Sequence, residues 1–219
     1  MAGIAKKTDR TRSALLLVDI QPDFMPGGAL AVADGDGILD PLKALMDKDL
    51  FGLYVATQDW HPRGHVSFAS SHPGRKPFES IELYGHAQTL WPDHCVQGTP
   101  GAALHPDLPQ SPIAAVIRKG MDPACDSYSG FRNNWNPEGE RPSTGLAGYL
   151  KERGIREVFA CGLARDVCVK WTAEDAAEAG FETTFLWDLT RPVDPAGDDR
   201  VRADLEKAGV RVLESRHIS

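Results

Sequence analysis

The chain has 219 residues, of which 42% are hydrophobic and 25% are charged, so its composition is that of a globular protein rather than a disordered or fibrous one. Lysine and arginine number 24 against 31 aspartates and glutamates, and the net charge of −7 argues against a protein that binds the phosphate backbone of nucleic acids. No run approaches the roughly 18 apolar residues that a membrane span needs, and the apolar stretch after the basic first twelve residues is too short for a signal peptide.

Four cysteines, which form no CxxC pair, indicate the compartment. They are Cys95, Cys125, Cys161 and Cys168. Because no export signal accompanies them, we expect free thiols in a reducing compartment, and we predict a cytoplasmic protein.

Six short apolar runs predict β-strands. In chain order they cover residues 14–18, 52–57, 113–117, 157–161, 182–187 and 210–213. The runs are nearly continuous rather than alternating, which is typical of strands that are covered on both faces.

Helix-like segments lie between the later strands. They cover about 38–47, from Ser143 or Thr144 to Arg153, about 166–179 and about 198–208. The last three end at Gly154, Gly180 and Gly209, and each glycine leads directly into the next strand. This repeated order predicts an α/β fold in which helices cover both faces of a parallel sheet.

Two stretches, at about 60–111 and 120–142, show little periodicity and are rich in proline, glycine, histidine or serine. Loops of this length are uncommon and are usually functional or disordered. Because both contain aromatic residues, we expect packed functional loops. We therefore predict one domain over residues 1–219 with elaborated loops, and not two domains.

Reactive side chains follow four of the predicted strands. Asp19, Asp59 and Lys119 come directly after strands, and Cys168 lies just past another strand, where a helix begins. The carboxyl ends of parallel strands share one edge of a sheet, and ligands bind there. Taken singly, each residue is better explained as a turn, cap, surface or packing residue. The four together make a catalytic crevice about as probable as these explanations.

Cys168 has a physical reason to be reactive. A thiol near a helix N-terminus, with Lys119 close to it, is stabilised as a thiolate. Asp19 could then act first as base and later as acid. The segment 162–164 is small enough to turn backbone N–H groups toward an oxyanion. By contrast, we assign Cys161 to the core, and Cys125 has no evident partner.

A second group of residues has the composition of a metal site. Asp59 and His61 are two positions apart in a strand-end loop, and His94 could supply a third ligand. Such a set suits zinc, iron or manganese and leaves positions open for water or substrate. The D-x-H pattern alone is better explained by ordinary surface histidines, so this interpretation depends on the wider context.

Several segments together resemble the nicotinamidase/pyrazinamidase family of isochorismatase-like cysteine hydrolases. The resemblance runs in order from about residue 14 to residue 213. It is carried by LLVDIQPDF (16–24), TQDWHP (57–62), SFA (67–69), LWPDHCVQGT (90–99), RKG (118–120), DSYSGF (126–131) and CGLARDVCV (161–169).

The resemblance implies a three-layer α/β/α fold with a parallel sheet of about six strands, and the hydrolysis of nicotinamide to nicotinate and ammonia in NAD salvage. It implies that Cys168 is the nucleophile, that Asp19 transfers protons, and that Lys119 keeps both in their charged forms. It also implies an oxyanion hole formed by the backbone N–H groups of Ala164 and Cys168, with a cis peptide between Leu163 and Ala164.

The resemblance further implies a substrate site with a divalent metal. Asp59, His61 and His94 would bind the metal, which would take the pyridine nitrogen of the substrate, and zinc is preferred over iron or manganese. Phe24 and Trp91 would line the ring. The implied partner is the small molecule nicotinamide, with pyrazinamide by similarity of shape, whereas no nucleic acid or membrane is expected and a homo-oligomer is left open.

Two departures from the family pattern stand out. The segment before the nucleophile often reads Gly-Ile/Val-Ala-Thr-Asp-Tyr/His-Cys in the family, whereas Leu163, Arg165 and Val167 differ here. Arg165 is expected to alter the rim of the pocket. His65 aligns with a fourth metal ligand in some members, and we treat it as a weak candidate or as a neighbour of the ligands.

Two other functions compete with nicotinamide hydrolysis. One is a cysteine hydrolase that acts on another small amide or carbamoyl compound, against which the metal set argues; isochorismate hydrolysis is disfavoured because Cys168 is present. The other is a non-enzymatic metal-binding or thiol redox-sensing protein. The presence of Asp19, Lys119 and Cys168 together argues against that one.

Overall fold

Six parallel strands form the central sheet of the computed structural model, which describes residues 6–219. The strands of the central sheet are β1 (Ser13–Val18), β2 (Leu53–Asp59), β5 (Ile113–Lys119), β6 (Glu157–Leu163), β7 (Glu182–Arg191) and β8 (Arg211–Leu213). Two further strands, β3 (Ser80–Leu83) and β4 (His86–Thr89), form a separate sheet. The central sheet has the order β5-β2-β1-β6-β7-β8, and all its neighbouring pairs are parallel. The predicted parallel sheet of six strands is confirmed.

Four helices cover the two faces of this sheet. They are α1 (Leu39–Met46), α2 (Leu146–Glu152), α3 (Lys170–Glu178) and α4 (Asp198–Lys207). The buried side chains of α1 belong to one hydrophobic core, and those of α2, α3 and α4 belong to the other. The three-layer α/β/α architecture is therefore confirmed. Within residues 6–219, no helix has the length and apolar character needed to cross a bilayer.

Strand β1 shows why the predicted strands read as continuous apolar runs. Leu15 and Leu17 pack in the core beneath α1, whereas Leu16 and Val18 pack in the core on the opposite face. All four are fully buried. Successive side chains of a strand point to opposite faces, so a strand covered on both sides must be apolar at every position.

The observed helices agree with the predicted ones except for two local differences. Helix α2 begins at Leu146, where the predicted cap Thr144 still accepts a hydrogen bond at Oγ1 from the Leu146 N–H (3.3 Å). The segment predicted as one helix over 166–179 is a π-helical turn, Arg165–Val169, that continues into α3. The nucleophile candidate Cys168 therefore lies in a wide turn and not in a regular helix.

The long loop at 60–111 contains structure that the sequence did not indicate. Strands β3 and β4 pair there as an antiparallel hairpin. Two parallel bridges, His61 with Val96 and Phe68 with Trp91, join the start of this loop to its later part. Since Phe68 and Leu90 are fully buried, the loop packs against the body of the protein, as predicted.

Gly162 in β6 generates a prediction about stability. Its φ is +121°, and a Cβ atom there would collide with the carbonyl oxygen of Val18 on the neighbouring strand. We expect Gly162→Ala to lower the free energy of unfolding by about 3 kcal/mol, because backbone strain adds to steric overlap. Equilibrium urea denaturation followed by circular dichroism measures this loss.

Gly154→Ala is the matched control, because Gly154 also has a positive φ (+71°) but nothing lies within 4 Å of the added atom. This variant should lose only about 1 kcal/mol. Equal losses in the two variants would mean that the close approach to Val18 is not what requires glycine in β6.

Candidate active site

The four reactive residues predicted from the strand ends meet at one edge of the sheet. Asp59 and Lys119 end β2 and β5 and are paired in register. Asp19 follows β1, and Cys168 lies in the turn after β6. Strands β1 and β6 are neighbours at the point where the chain changes from one half of the sheet to the other. Such a switch point is where open α/β sheets bind ligands.

The Lys119 ammonium lies at the centre of this group. Its Nζ is 2.5 Å from Asp59 Oδ1, 2.9 Å from Asp19 Oδ2 and 3.6 Å from Cys168 Sγ. It also donates a hydrogen bond to the carbonyl oxygen of Ser127 (2.9 Å). The Lys119 side chain has no solvent exposure, so a single buried cation lies between two carboxylates beside the thiol.

Asp19 is held by a neighbouring strand. Its backbone N–H donates to Thr57 Oγ1 (3.1 Å), and the Thr57 hydroxyl donates to Asp19 Oδ1 (2.6 Å). Asp19 has a φ of +48°, which is uncommon for a residue with a side chain. Its Oδ2 forms an ion pair with Lys119 but accepts no well-directed hydrogen bond from the described residues. That oxygen is therefore free to accept a proton.

Burial and charge set different protonation states for the two carboxylates. Burial and the nearby Asp59 raise the pKa of Asp19, although Lys119 opposes this. Burial would also raise the pKa of Asp59, but Lys119 and His61 hold it well below its usual range. Burial disfavours the charge on Lys119, yet Asp19 and Asp59 raise its pKa well above the ordinary value. Asp59 and Lys119 thus form a charged pair, and Asp19, whose pKa is raised, is the candidate proton acceptor.

Cys168 departs from the prediction that it is held as a thiolate. Burial raises the pKa of the Cys168 thiol well above its ordinary value, and Lys119 only partly opposes this effect. The expectation from the helix end and Lys119 was wrong in sign because it did not include the depth of the site. The resting group is a neutral thiol that requires a base, and Asp19 is the residue placed to serve as one.

Asp59, His61 and His94 come together as a candidate metal site. His61 Nε2 and His94 Nε2 lie 3.6 Å and 3.7 Å from Asp59 Oδ2, and all three side chains are buried. His61 Nδ1 is 3.0 Å from the carbonyl oxygen of Gly120, and His94 Nδ1 is 2.8 Å from that of Pro92. A carbonyl only accepts, so each Nδ1 carries the proton and each Nε2 offers a lone pair.

His65 does not join this set. Its Nδ1 lies 2.8 Å from Ser67 Oγ and its Nε2 lies 3.3 Å from the carbonyl oxygen of Cys125, so both ring nitrogens are occupied. Burial, with the charge of His61, lowers the pKa of His65 to about 4. His65 is thus a neutral neighbour of the ligand set, and its ring is tilted against that of His61 with the centroids 4.3 Å apart.

Two further groups have metal-binding residue types but are already satisfied. Asp19, Asp59 and Cys168 come within 4.8 Å of one another, but the Lys119 ammonium occupies the position of a cation among them. In the group of His61, His65 and Asp126, the carboxylate already accepts hydrogen bonds from Ser127 N (2.8 Å) and Gln88 Nε2 (2.7 Å). The set with His94 is therefore the better site.

A pocket opens above these groups. Its walls include Phe24 and Trp91, the two predicted ring-lining residues, both of which are buried. Cys168 and the candidate metal ligands lie on other sides of the same space. Aromatic walls with a few convergent polar groups suit a planar heteroaromatic ring that carries one polar substituent.

The turn before Cys168 is also placed as predicted. The Leu163–Ala164 peptide is cis, and both Ala164 and Cys168 line the pocket. The carbonyl of Ala164 accepts hydrogen bonds from the N–H groups of Val167 (3.2 Å) and Val169 (3.0 Å). This bonding turns the carbonyl of Ala164 into the helical turn.

Several functional contacts were not predicted from the sequence. Thr57, which bonds to Asp19, looks in the sequence like an ordinary strand residue. The contacts of His61 and Lys119 with the carbonyl oxygens of Gly120 and Ser127 involve the backbone, so no residue type indicates them. The pocket walls that the sequence did not indicate are Leu30, Asp126, Ser127, Val167 and Val193. Tyr128 also lines the pocket. Trp60 instead stacks beneath Arg118 (4.1 Å), and Phe131 packs in the core on the α2 side.

Sequence comparison shows which known proteins this chain resembles. Residues 13–217 match the isochorismatase domain model. The nicotinamidase of Acinetobacter baylyi is 46% identical over 94% of this chain and 94% of its own length. That of Escherichia coli is 46% identical over 88% of this chain and 89% of its own length.

Solved structures agree with the sequence matches. A nicotinamidase/pyrazinamidase of Acinetobacter baumanii has a TM-score of 0.88 at 44% identity, covering 94% of this chain and 97% of the other. PnC1 of L. infantum in complex with nicotinate has a TM-score of 0.85 at 42% identity, covering 99% of both chains. The pyrazinamidase of Pyrococcus horikoshii in complex with zinc has a TM-score of 0.72 at 35% identity, covering 93% of this chain and 99% of the other. The chain therefore belongs to the isochorismatase family and, within it, to the nicotinamidases.

Proposed function

We propose that this protein is a nicotinamidase, an amidohydrolase that converts nicotinamide and water into nicotinate and ammonia. The observation that carries the proposal is the convergence of Cys168, Asp19 and Lys119 at one side of an aromatic pocket whose other side holds Asp59, His61 and His94. Relatives that are 46% identical are named nicotinamidase, and a similar structure holds nicotinate.

The first half of the reaction forms a thioester. Asp19 takes the proton of Cys168 as the sulfur attacks the carboxamide carbon, and negative charge develops on the carboxamide oxygen. The backbone N–H groups of Ala164 and Cys168 stabilise this oxyanion. When the intermediate collapses, the carbon–nitrogen bond breaks, and Asp19 returns its proton to the departing ammonia.

The second half of the reaction releases the acid. Asp19 removes a proton from water, and the resulting hydroxide attacks the thioester carbon at the same oxyanion site. The carbon–sulfur bond then breaks, the Cys168 sulfur regains a proton from Asp19, and the acid leaves as nicotinate after its own proton is lost to solvent. Lys119 remains protonated throughout, because its charge balances Asp59 and stabilises the developing thiolate 3.6 Å away.

The residues around Asp59 fit a divalent metal. Both histidines present Nε2 lone pairs toward an ionised carboxylate, and this donor set suits zinc, with iron or manganese as alternatives. A metal held by Asp59, His61 and His94 would supply a Lewis-acid site for the pyridine nitrogen of the substrate. The zinc complex of the related pyrazinamidase supports this choice of metal.

The ring walls account for the substrate class. Phe24 and Trp91 would enclose the flat ring, and pyrazinamide, which has a similar shape, should also be accepted. The free thiol chemistry and the absence of disulfides among the described residues fit a cytoplasmic enzyme. We further propose a role in NAD salvage, in which the enzyme would convert nicotinamide to nicotinate.

The central test is ammonia release from nicotinamide. We expect activity in the wild-type protein and a loss of at least about 10³-fold in kcat for Cys168→Ala, because the nucleophile is removed. A coupled ammonia assay on folded protein gives both values. Cys125→Ala, which removes another buried thiol, should retain near wild-type activity. An inactive wild-type protein would favour a different amide substrate or a non-enzymatic role, and an active Cys168→Ala would reject the thioester mechanism.

Thr57 provides a test of how Asp19 is held. Thr57→Val keeps the shape of the side chain but removes both hydrogen bonds to Asp19. We expect kcat/KM for nicotinamide to fall by about tenfold or more, as for the loss of a hydrogen bond to a charged group. Thr57→Ser keeps the hydroxyl and should retain most of the activity. Equal activities in the two variants would show that the hydroxyl does not support the base.

Gly120 tests the metal site through the orientation of a histidine. Gly120 has a φ of +64°, and a Cβ atom there would collide with the His61 ring. Because orienting groups tune ligands, we expect Gly120→Ala to weaken zinc binding by about 10- to 100-fold, as measured by competition with a chromophoric chelator. Gly64→Ala is the matched control, since its φ is +71° and nothing lies within 4 Å of the added atom. Unchanged zinc affinity in Gly120→Ala would contradict this site.

A further inference from the structure

Arg165 is a buried arginine in the turn between the oxyanion residue and the nucleophile. Its side chain is 8% exposed. It donates hydrogen bonds from Nε to Thr190 Oγ1 (2.9 Å) and from Nη2 to the carbonyl oxygen of Thr190 (2.9 Å). Its Nη1 pairs with Asp198 Oδ2 (2.6 Å). The side chain therefore points away from the pocket and binds the end of β7 and the start of α4.

An aromatic stack reinforces this contact. The Arg165 guanidinium lies 4.0 Å from the ring of Trp187, and Arg202 of α4 lies 3.5 Å from the same ring. Arg165 Nη2 also lies 3.3 Å from the carbonyl oxygen of Trp187. The planar guanidinium thus satisfies backbone, hydroxyl, carboxylate and ring at once, which a lysine could not do.

The next residue, Asp166, binds the middle of the same segment. Asp166 Oδ1 accepts a hydrogen bond from the N–H of Val193 (2.8 Å), and Asp166 Oδ2 accepts one from the N–H of Asp194 (2.9 Å). Val193 lines the pocket together with Val167, which belongs to the turn itself. Two adjacent side chains therefore hold the segment 187–198 where it supplies one apolar wall of the pocket.

We propose that Arg165 is a positioning residue that fixes Val193 against the substrate ring and so determines which ring substituents the pocket accepts. The inference rests on the proposed hydrolysis of a heteroaromatic amide and extends it to the specificity of that site. The mechanism described above does not use Arg165, which acts only through the segment that it binds.

The position of the wall predicts which kinetic constant responds. Val193 would contact the ring and not the reacting carboxamide, so its contacts are similar in the bound substrate and in the transition state. The loss of such uniform binding raises KM and leaves kcat nearly unchanged. A defect in Ala164 or Cys168 would instead lower kcat.

A double-mutant cycle tests whether Arg165 acts through Val193. We expect Arg165→Met and Val193→Ala each to raise KM for nicotinamide by about fivefold to tenfold, with kcat within about threefold of the wild type. Because the two act on the same wall, the double variant should show about the same KM as the worse single variant. Multiplying effects, or a fall in kcat with unchanged KM, would overturn the proposal.

Specificity provides a second readout. Among 4-, 5- and 6-methylnicotinamide, at least one should gain in kcat/KM relative to nicotinamide in Arg165→Met, because the wall can then move away. An unchanged ratio for all three compounds would contradict a role in specificity. Arg165→Lys keeps the charge but not the set of directed bonds, and it should restore only part of the wild-type KM.

Arg141→Met is the matched control for general destabilisation. Arg141 also pairs with an aspartate, here through two hydrogen bonds to Asp175 (3.0 and 2.9 Å). It bonds to the carbonyl oxygen of Asn133 (3.2 Å) and lies 5.2 Å from the Trp171 ring, yet none of these residues lines the pocket. It should lower the unfolding midpoint comparably without changing KM. If Arg141→Met raises KM as much as Arg165→Met, the effect is one of stability, and the proposal fails.

Amide hydrogen exchange tests the clamp without any substrate. The N–H groups of Val193 and Asp194 should exchange at least about tenfold faster in Arg165→Met than in Arg141→Met, because their segment opens more often. If wild-type protein does not hydrolyse nicotinamide, the proposed function fails, whereas this measurement still decides whether Arg165 holds the segment. Unchanged exchange at both amides would overturn the inference independently of activity.

Discussion

The site depends on one buried ammonium, that of Lys119. A charge without solvent exposure is costly unless it is paired, and here two carboxylates and a carbonyl surround it. One cation cannot fully compensate two anions, so one carboxylate must carry the deficit. Asp59, which also faces two histidines, has the lowered pKa, and Asp19 has the raised one. Burial, with the nearby charge of Asp59, raises the pKa of Asp19 and so favours it as the base.

Asp59 connects the two halves of the site. Its Oδ1 lies against Lys119 and its Oδ2 faces the histidine pair, so a single carboxylate belongs to both the catalytic group and the candidate metal site. This sharing requires β2 and β5 to end together, and the register pairs Asp59 with Lys119. Loss of the Asp59 charge would therefore disturb the lysine and the histidines at once, and the effects of substitutions in the two groups should not be additive.

The sequence predicted the features that follow a pattern along the chain, but it did not predict contacts and burial that arise only in the folded structure. Continuous apolar strands with polar residues at their ends indicated both the sheet and the positions of Asp19, Asp59, Lys119 and Cys168. The hairpin of β3 and β4 was missed because each of its strands has only four residues, so the alternation in β3 is too short to stand out. The carbonyls that orient the histidines have no side chain to recognise. The prediction that Cys168 is held as a thiolate was wrong because burial, which has the largest effect on the pKa of this thiol, cannot be seen in a local motif.

The residues around the pocket come from two kinds of element, the ends of core strands and the loops that pack beside them. Groups that move protons stand at strand ends, whose positions are set by the ladder of the sheet and by two hydrophobic cores. The ring walls come from loops, and one of them, around Val193, is held mainly by polar contacts of Arg165 and Asp166. Polar contacts of this kind depend on a few atoms, so one substitution can change the position of the wall. The position of a core strand depends on many packed side chains and is not changed so easily. Substrate range can therefore change in this fold while Asp19, Lys119 and Cys168 keep their geometry.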